Sequence, residues 1–187
     1  MNIILFGPPG AGKGTQSRYL LKKLNCFQVS TGDMLRNEIA KNSEIGKEIT
    51  NSMNQGKFVK DEIVNNLIKN ILFDPQKKGK LIFDGYPRSI SQAKNLDLLL
   101  DSSNQKIDFI FFLNVNKETI IKRIEKRKIL EKRTDDDSSV ILKRYDTYME
   151  TTKPVLDFYS KNANFYEIDG TLEIDQITSK INDILQV

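Results

Sequence analysis

The sequence contains no histidine and no tryptophan, and Cys26 is its only cysteine. The absence of histidine removes the side chain that most often acts as a general base near neutral pH and that most often binds metals. A single cysteine excludes an intrachain disulfide and a cysteine-based structural zinc site. The chemistry of this chain therefore has to work without an imidazole, and its cysteine content is typical of a cytoplasmic protein.

The sequence also lacks a long apolar run. The stretch from Met1 to Phe6 stops at Gly7-Pro8-Pro9 and is too short for a signal peptide, and no transmembrane segment is present. The net charge of +4 would suit nucleic acid or a small polyanionic substrate, but no basic patch interleaved with aromatic residues supports nucleic acid. We therefore expect a cytoplasmic protein with neither a nucleic acid nor a membrane as partner.

A nine-residue segment, GPPGAGKGT from Gly7 to Thr15, directly follows the apolar run of residues 3–6. Its glycines allow the backbone to approach an anion closely, so that consecutive N–H groups converge on phosphate oxygens. Lys13 adds a positive charge for the β- and γ-phosphates, and Thr15 adds a hydroxyl of the kind that reaches Mg²⁺. A glycine-rich turn that binds nothing is the alternative, but the spacing, the GKGT ending and the preceding strand all favour a site for a Mg-nucleoside triphosphate.

Apolar runs and helical periodicity alternate along the whole chain. Short apolar runs predict strands at residues 3–6, 27–29, 81–83, 109–113 and 165–168. Between them we predict helices over residues 16–24, 44–55 and 174–184. Two further helices begin at capping boxes: one runs from Ser30/Asp33 to Ala40, and the other from Ser89/Gln92 to Leu100. One helix follows a cap at Asp61, another follows a cap at Asn116 and has Ile120, Ile121 and Ile124 on its inner face, and a long one begins at about Ser138 with an interruption near Pro154. Residues 128–137 are polar and are predicted to form a loop. This alternation predicts an α/β fold of three layers, α/β/α, with a five-stranded parallel sheet.

Asp84 and Arg88 follow the third predicted strand, in a Gly-Tyr-Pro turn. Ligands of parallel sheets bind beyond the carboxyl ends of the strands, where the phosphate loop also lies. A charge in this turn has no structural task, so we interpret Arg88 as functional and Asp84 as a Mg²⁺ ligand that acts through water. Phosphoryl transfer needs alignment and charge neutralisation more than covalent help, which suits a chain rich in arginine and without histidine.

Together these motifs resemble the adenylate kinase family over the whole chain, in order. The matching segments are GPPGAGKGT, STGDMLR, residues 56–59, DGYPRS with Gln92, the Arg123/Arg127 pair, RTDD at residues 133–136 and the segment 143–145. The resemblance implies a P-loop NTPase-like fold and a nucleoside monophosphate kinase, which transfers the γ-phosphoryl group of ATP to AMP with Mg²⁺ and gives two ADP. It also implies ATP, AMP and ADP as small-molecule partners, adenine nucleotide homeostasis as the role, and no structural zinc; we expect a monomer.

The resemblance assigns residues to each substrate. For ATP these are Gly10, Ala11, Gly12, Lys13, Gly14, Thr15, Arg123, Arg127, Gly170 and Leu172, the last two in a loop with Asp169 and Thr171. For AMP they are Thr31, Arg36, Met53, Lys57, Phe58, Val59, Gly85, Tyr86, Pro87, Arg88, Gln92, Arg133 and Arg144. Lys13, Arg88, Arg127, Arg133 and Arg144 would be the catalytic residues, Thr15 and Asp84 the metal-binding residues, and Asp135 and Asp136 the pair that steadies the lid.

Two small inserted lobes follow from the same resemblance: an AMP-binding lobe over about residues 30–59 and a lid over about 128–136, within a single kinase domain spanning 1–187. The lid is of the short form, because only residues 128–132 separate Arg127 from Arg133, and it lacks the glycines usual in relatives with short lids. Tyr86 and Ser89 replace a more usual Phe and Thr.

Two alternative functions remain open at this point. Within the same family the chain could be a UMP/CMP kinase, although Thr31 and Gln92 favour adenine. Outside it, the chain could be a non-catalytic nucleotide-binding module, which would leave the acceptor-side arginines without a role.

Overall fold

A computed structural model of the chain describes residues 1–131 and 138–187. Within them, five strands form one sheet: β1 (Ile3–Phe6), β2 (Phe27–Ser30), β3 (Leu81–Asp84), β4 (Phe109–Asn114) and β5 (Phe165–Asp169). The strands are parallel and are hydrogen-bonded in the order β2-β3-β1-β4-β5. The predicted five-stranded parallel sheet is therefore confirmed.

Helices connect the strands and cover the sheet. They are α1 (Lys13–Leu24), α2 (Thr31–Ala40), α3 (Glu44–Asn54), α4 (Asp61–Leu72), α5 (Ile90–Ser102), α6 (Lys117–Glu131), α7 (Ser138–Thr147), α8 (Lys153–Tyr159) and α9 (Ile174–Leu185). A π-helical segment, Tyr148–Thr152, joins α7 to α8. This segment is the interruption that the sequence predicts near Pro154.

Each face of the sheet has its own hydrophobic cluster, which confirms the three layers. Ile4 and Phe6 of β1 pack with residues of α2 to α5 and α8, whereas Ile3 and Leu5 pack with residues of α1, α6 and α9. All four side chains are buried, because β1 lies between β3 and β4 with helices on both faces. This burial, which contributes about 1.5–3 kcal/mol per large apolar side chain, fixes the strand that leads into the phosphate loop.

Three of the predicted helix caps are confirmed. The side chains of Ser30 and Ser89 accept hydrogen bonds from the backbone N–H groups of Asp33 and Gln92, and Asn116 accepts one from Thr119. Each satisfies a donor that the first helical turn would otherwise leave unpaired.

Three local predictions are wrong. Asp61 is the first residue of α4 and Lys60 is its cap, because the Asp61 carboxylate instead accepts hydrogen bonds from Ser89, the cap of α5, and from Gln92. Ile121 is 36% exposed, since Ile120 and Ile124 already fill the inner face of α6. Residues 128–131 are helical rather than looped, because neither glycine nor proline interrupts α6 before Glu131.

Helices α2 and α3 pack closely within the predicted AMP-binding lobe. A Cβ atom at Gly46 of α3 would lie only 2.2 Å from the carbonyl oxygen of Glu38 in α2. The two backbones can approach this closely only because Gly46 has no side chain. The division into core, lobe and lid remains a prediction.

Candidate active site

The phosphate loop connects β1 to α1, and two of its glycines are required by its shape. Gly10 and Gly12 adopt left-handed backbone conformations, with φ angles of 84° and 95°. A Cβ atom at Gly10 would also lie 2.8 Å from Cγ1 of Ile124. The cap residue of α1 is Gly12, which has no side chain. The N–H groups at the helix N-terminus are therefore not covered by a capping side chain. Such an N-terminus attracts phosphate through its N–H groups and its dipole.

Lys13, the first residue of α1, lies under this loop. Its Nζ donates to the carbonyl oxygens of Gly7 at 2.7 Å and Pro8 at 3.1 Å. Burial lowers the pKa of Lys13 from 10.5 to about 8; the carboxylate of Asp84 opposes this shift, and the nearby guanidinium groups of Arg88, Arg144 and Arg127 add to it. Lys13 is thus surrounded by like charges that a phosphate group would neutralise.

Asp84 ends β3 and faces the same loop. A Cβ atom at Gly14 would lie 3.5 Å from Oδ2 of Asp84, and the same oxygen accepts a hydrogen bond from Nε2 of Gln28 at 3.1 Å. Thr15 is in the first turn of α1, beside Gly14. A carboxylate and a hydroxyl next to a phosphate cradle suit Mg²⁺, which prefers oxygen ligands, retains several waters and is shared with substrate phosphates. Among the described residues, no group of three or more His, Cys, Asp or Glu side chains could hold a metal by itself.

The turn after β3 positions Arg88. The guanidinium Nε of Arg88 donates to the carbonyl oxygen of Gly85 at 2.6 Å, and Thr31 Oγ1 donates to the same oxygen at 2.8 Å. The guanidinium carbon of Arg88 lies 5.3 Å from the ring centre of Phe58, a cation–π distance. Gly85 has a φ of 73°, and a Cβ atom there would lie 2.9 Å from Nη2 of Arg88. Glycine at this position therefore leaves room for the guanidinium group.

The side-chain amide of Gln92 is buried, with 2% exposure. Its Oε1 accepts from the backbone N–H of Arg88 at 2.8 Å, and its Nε2 donates to Oδ1 of Asp61 at 2.7 Å. Because an N–H can only donate and a carboxylate can only accept, these partners define which end of the amide is which. In the predicted capping box, Gln92 therefore reaches the N–H of Arg88 rather than that of the cap residue Ser89.

Arg123, at the other end of the site, contacts the loop that follows β5. Its guanidinium donates to the carbonyl oxygen of Gly170 at 2.7 Å and to that of Leu172 at 3.3 Å. The resemblance assigned both Arg123 and this loop to ATP, and the structure brings them into direct contact. Gln16, one residue after Thr15, also holds this region, because its Nε2 donates to the carbonyl oxygen of Ile174 at 3.1 Å.

One cleft of about 570 Å³ brings many of the sequence-predicted residues together. Its lining includes Gly10, Ala11, Gly12, Lys13, Gly14, Thr15, Arg36, Asp84, Gly85, Arg88, Arg123, Arg127, Arg144 and Leu172. A recess of about 50 Å³ adjoins it, where Phe58 and Pro87 join Lys13, Arg88 and Arg144.

Other predicted residues do not line the cleft. Thr31, Val59 and Gln92 are buried beside it, and Gly170 is buried behind Arg123, whereas Lys57 is exposed and Met53 packs against the core. Tyr86 is fully buried and its hydroxyl donates to Asn65, so it supports the turn without facing the cleft. Arg133, Asp135 and Asp136 lie outside the described residues.

Sequence reasoning missed two residues of this site, Gln28 and the carboxylate partner of Gln92, Asp61. Gln28 is a polar residue between the apolar Phe27 and Val29 of a strand, which is a weak signal of function. Gln28 reaches Asp84 because β2 pairs with β3, and the sequence does not specify this pairing. Asp61 was visible as a helix-start residue, and nothing in the sequence links it to Gln92.

The chain is similar to known proteins along its whole length. The family model described as adenylate kinase matches residues 5–164. A protein named adenylate kinase from Pelagibacter ubique is 49% identical over an alignment of 213 positions, which covers all of both chains. Proteins of the same name from Mycoplasma capricolum and Caulobacter sp. are 39% and 41% identical and are covered over 100% and 99% of their lengths. The chain therefore belongs to the adenylate kinase family, as its motifs predicted.

Proposed function

We propose that this chain transfers the γ-phosphoryl group of ATP to AMP, with Mg²⁺, and gives two ADP. The observation that carries the proposal is the cleft itself, in which the phosphate loop, the carboxylate of Asp84 and the guanidinium groups of Arg88, Arg127 and Arg144 share one space. This arrangement supplies alignment and charge neutralisation, which are the main requirements of phosphoryl transfer. The chain has no histidine, and this reaction does not require an imidazole.

On the donor side, ATP lies with its phosphates against the phosphate loop. The N-terminus of α1 and Lys13 neutralise the β- and γ-phosphates, and Arg127 approaches them from α6. The adenine lies near Arg123 and the loop that contains Leu172. The contacts between Arg123 and this loop fix the two sides of the base pocket relative to each other.

On the acceptor side, the AMP phosphate lies between Arg88 and Arg36, and the base lies toward Gln92. Arg88 and Arg144 flank the path of the phosphoryl group between the two nucleotides. A guanidinium presents several N–H donors in one plane, so each arginine can bind two phosphate oxygens at once. We assign Arg133 to the same group of phosphate-binding arginines only because it begins the RTDD motif.

Thr15 and Asp84 would hold Mg²⁺, Thr15 through its hydroxyl and Asp84 through water. When bound, the ion neutralises phosphate oxygens and orients them. The chain orients the oxygen atoms of Thr15 and Asp84. Helix α1 positions the Thr15 hydroxyl, and Gln28 Nε2 donates a hydrogen bond to Oδ2 of Asp84.

The test is to measure product formation from ATP and AMP with Mg²⁺. The expected result is ADP in a ratio of two per AMP consumed, with AMP preferred over UMP and CMP as acceptor. Preference for UMP or CMP would reassign the chain to the pyrimidine kinases of the same family. Tight binding of ATP without turnover for any monophosphate would instead support a non-catalytic module.

Two finer points belong to the proposal as well, namely that the chain works as a monomer and that it works in the cytoplasm. Its single half-buried thiol suits a reducing compartment. Within residues 1–131 and 138–187, no helix is long and apolar enough to cross a membrane.

A further inference from the structure

The backbone of Arg88 is held on both sides. Its N–H donates to Oε1 of Gln92 at 2.8 Å, and its carbonyl oxygen accepts from Oγ1 of Thr152 at 3.1 Å. The guanidinium Nε is held in turn by the carbonyl oxygen of Gly85. Gln92 and Gly85 are neighbours of Arg88 in the chain, whereas Thr152 is 64 residues away. Thr152 is therefore the partner that ties the Arg88 backbone to the segment between α7 and α8, just as Thr31 of α2 ties the carbonyl of Gly85 in the same turn.

Thr152 is the last residue of the π-helical segment between α7 and α8, and it is only 3% exposed. Its neighbour Thr151 makes the usual contact of a helical threonine, since its hydroxyl donates to the carbonyl oxygen of Thr147 four residues earlier. Thr152 instead donates to another part of the chain. A π-helical turn contains an extra residue, which rotates the side chains that follow it, and such turns are frequent at functional sites.

The same stretch of helix carries Arg144, two turns before Thr152. Arg144, Tyr148 and Thr152 line the small recess of about 50 Å³ together with Lys13 and Arg88. One continuous helical stretch therefore presents the guanidinium of Arg144 to the cleft at one end and contacts the backbone of Arg88 at the other. The distance between the two arginines depends on this element.

We propose that Thr152 is a positioning residue for phosphoryl transfer: its hydroxyl fixes the Arg88 backbone to the helix that carries Arg144. This inference rests on the proposed function, in which Arg88 stabilises charge on the transferred group. Transfer is sensitive to alignment, and a misplacement of about 1 Å can cost on the order of 100-fold in rate.

The test compares Thr152→Val with Thr151→Val. Both replace a hydroxyl by a methyl group of similar size, one residue apart, but only the first removes the contact with Arg88. We expect Thr152→Val to lower kcat about tenfold or more, to raise KM for AMP, and to leave KM for ATP within about twofold. Thr151→Val should keep kcat within about twofold of the wild type, and Thr152→Ser, which retains the hydroxyl, should recover most of the activity.

A double-mutant cycle with Arg88→Ala separates positioning from a general structural role. If Thr152 acts through Arg88, adding Thr152→Val to Arg88→Ala should cause little further loss of kcat. An equal loss in both backgrounds, or a Thr152→Val enzyme with wild-type kcat, would overturn the inference. If Arg88→Ala itself keeps full kcat, the proposed role of Arg88 fails and the inference fails with it. If Thr152→Val folds poorly, Thr152→Ala carries the same cycle, because it leaves room for a water on the Arg88 carbonyl.

Discussion

At the scale of single residues, the charged side chains of Lys13 and Arg88 both line the cleft. We expect Lys13→Ala or Arg88→Ala to lower kcat by about 100- to 1000-fold, because removing one group that stabilises developing charge costs on the order of 3–4 kcal/mol of barrier. Lys23→Ala, in the last turn of α1, is the matched control and should keep full activity. Steady-state kinetics with circular dichroism measure both effects. Unchanged kcat in folded Lys13→Ala and Arg88→Ala enzymes would contradict the assigned roles.

We expect Gln92 to pair with the N1/N6 edge of adenine, because its amide keeps one N–H donor and one acceptor lone pair after its contacts with Asp61 and Arg88. An unpaired buried amide costs about 1–3 kcal/mol, so a wrong base should lose at least about tenfold in kcat/KM on this contact. Gln92→Leu should raise KM for AMP and narrow the preference over CMP and UMP, while KM for ATP changes little.

Gln92 also supports the start of α5 through its contacts with Arg88 and Asp61, so Gln92→Leu should lower the melting temperature as well. Thermal melting must therefore accompany the kinetics. A variant that melts earlier but discriminates AMP as well as the wild type would show that the structural role is the only one.

At the scale of elements, α2 and α3 should move as one unit, since Gly46 packs directly on the α2 backbone. In Gly46→Ala the new methyl group must push the helices apart, and overpacking of this kind costs typically about 1–3 kcal/mol. We expect a higher KM for AMP, an unchanged KM for ATP and faster amide hydrogen exchange in both helices. Lys47→Ala, at the next and exposed position, should show none of these changes. Normal exchange and KM in Gly46→Ala would mean that the packing is not needed for AMP binding.

The elements that sequence reasoning predicted well are those with local causes. Serine at residues 30 and 89 caps a helix through a contact three residues away, and the apolar runs of β1 and β3 are buried as expected. The π-helical segment was visible only as an interruption near Pro154, because its extra residue follows from packing. Asp61 was assigned as a cap because the sequence gives no sign of its partners in α5.

The same distinction applies to the site. The phosphate loop and Arg88 were recognisable because each follows a strand directly. The contacts of Gln28 with Asp84, of Asp61 with Gln92 and of Thr152 with Arg88 join residues that are 56, 31 and 64 positions apart. Such pairs depend on the strand order and on how the helices pack, so one sequence does not specify them.

At the scale of the whole molecule, we expect water to be excluded from the γ-phosphate only when both substrates occupy the cleft. We expect ATP alone to be hydrolysed slowly, and AMP to divert the phosphoryl group into ADP without free phosphate. Parallel assays of ADP and inorganic phosphate, with and without AMP, measure this. Fast release of phosphate that AMP does not change would replace the kinase with an ATPase.

The strand order also bears on how the chain is made. The strand that leads into the phosphate loop, β1, pairs with β3 and β4, and β2 pairs with β3, so both early strands wait for partners that are synthesised later. At synthesis rates of about 5–20 residues per second, the roughly 50 residues between β2 and β3 take on the order of 3–10 seconds. During this interval β1 and β2 have been synthesised, but β3, the strand with which both of them pair, has not. A nascent chain that ends before Leu81 therefore contains the phosphate loop without β3 and β4, the strands that pair with β1.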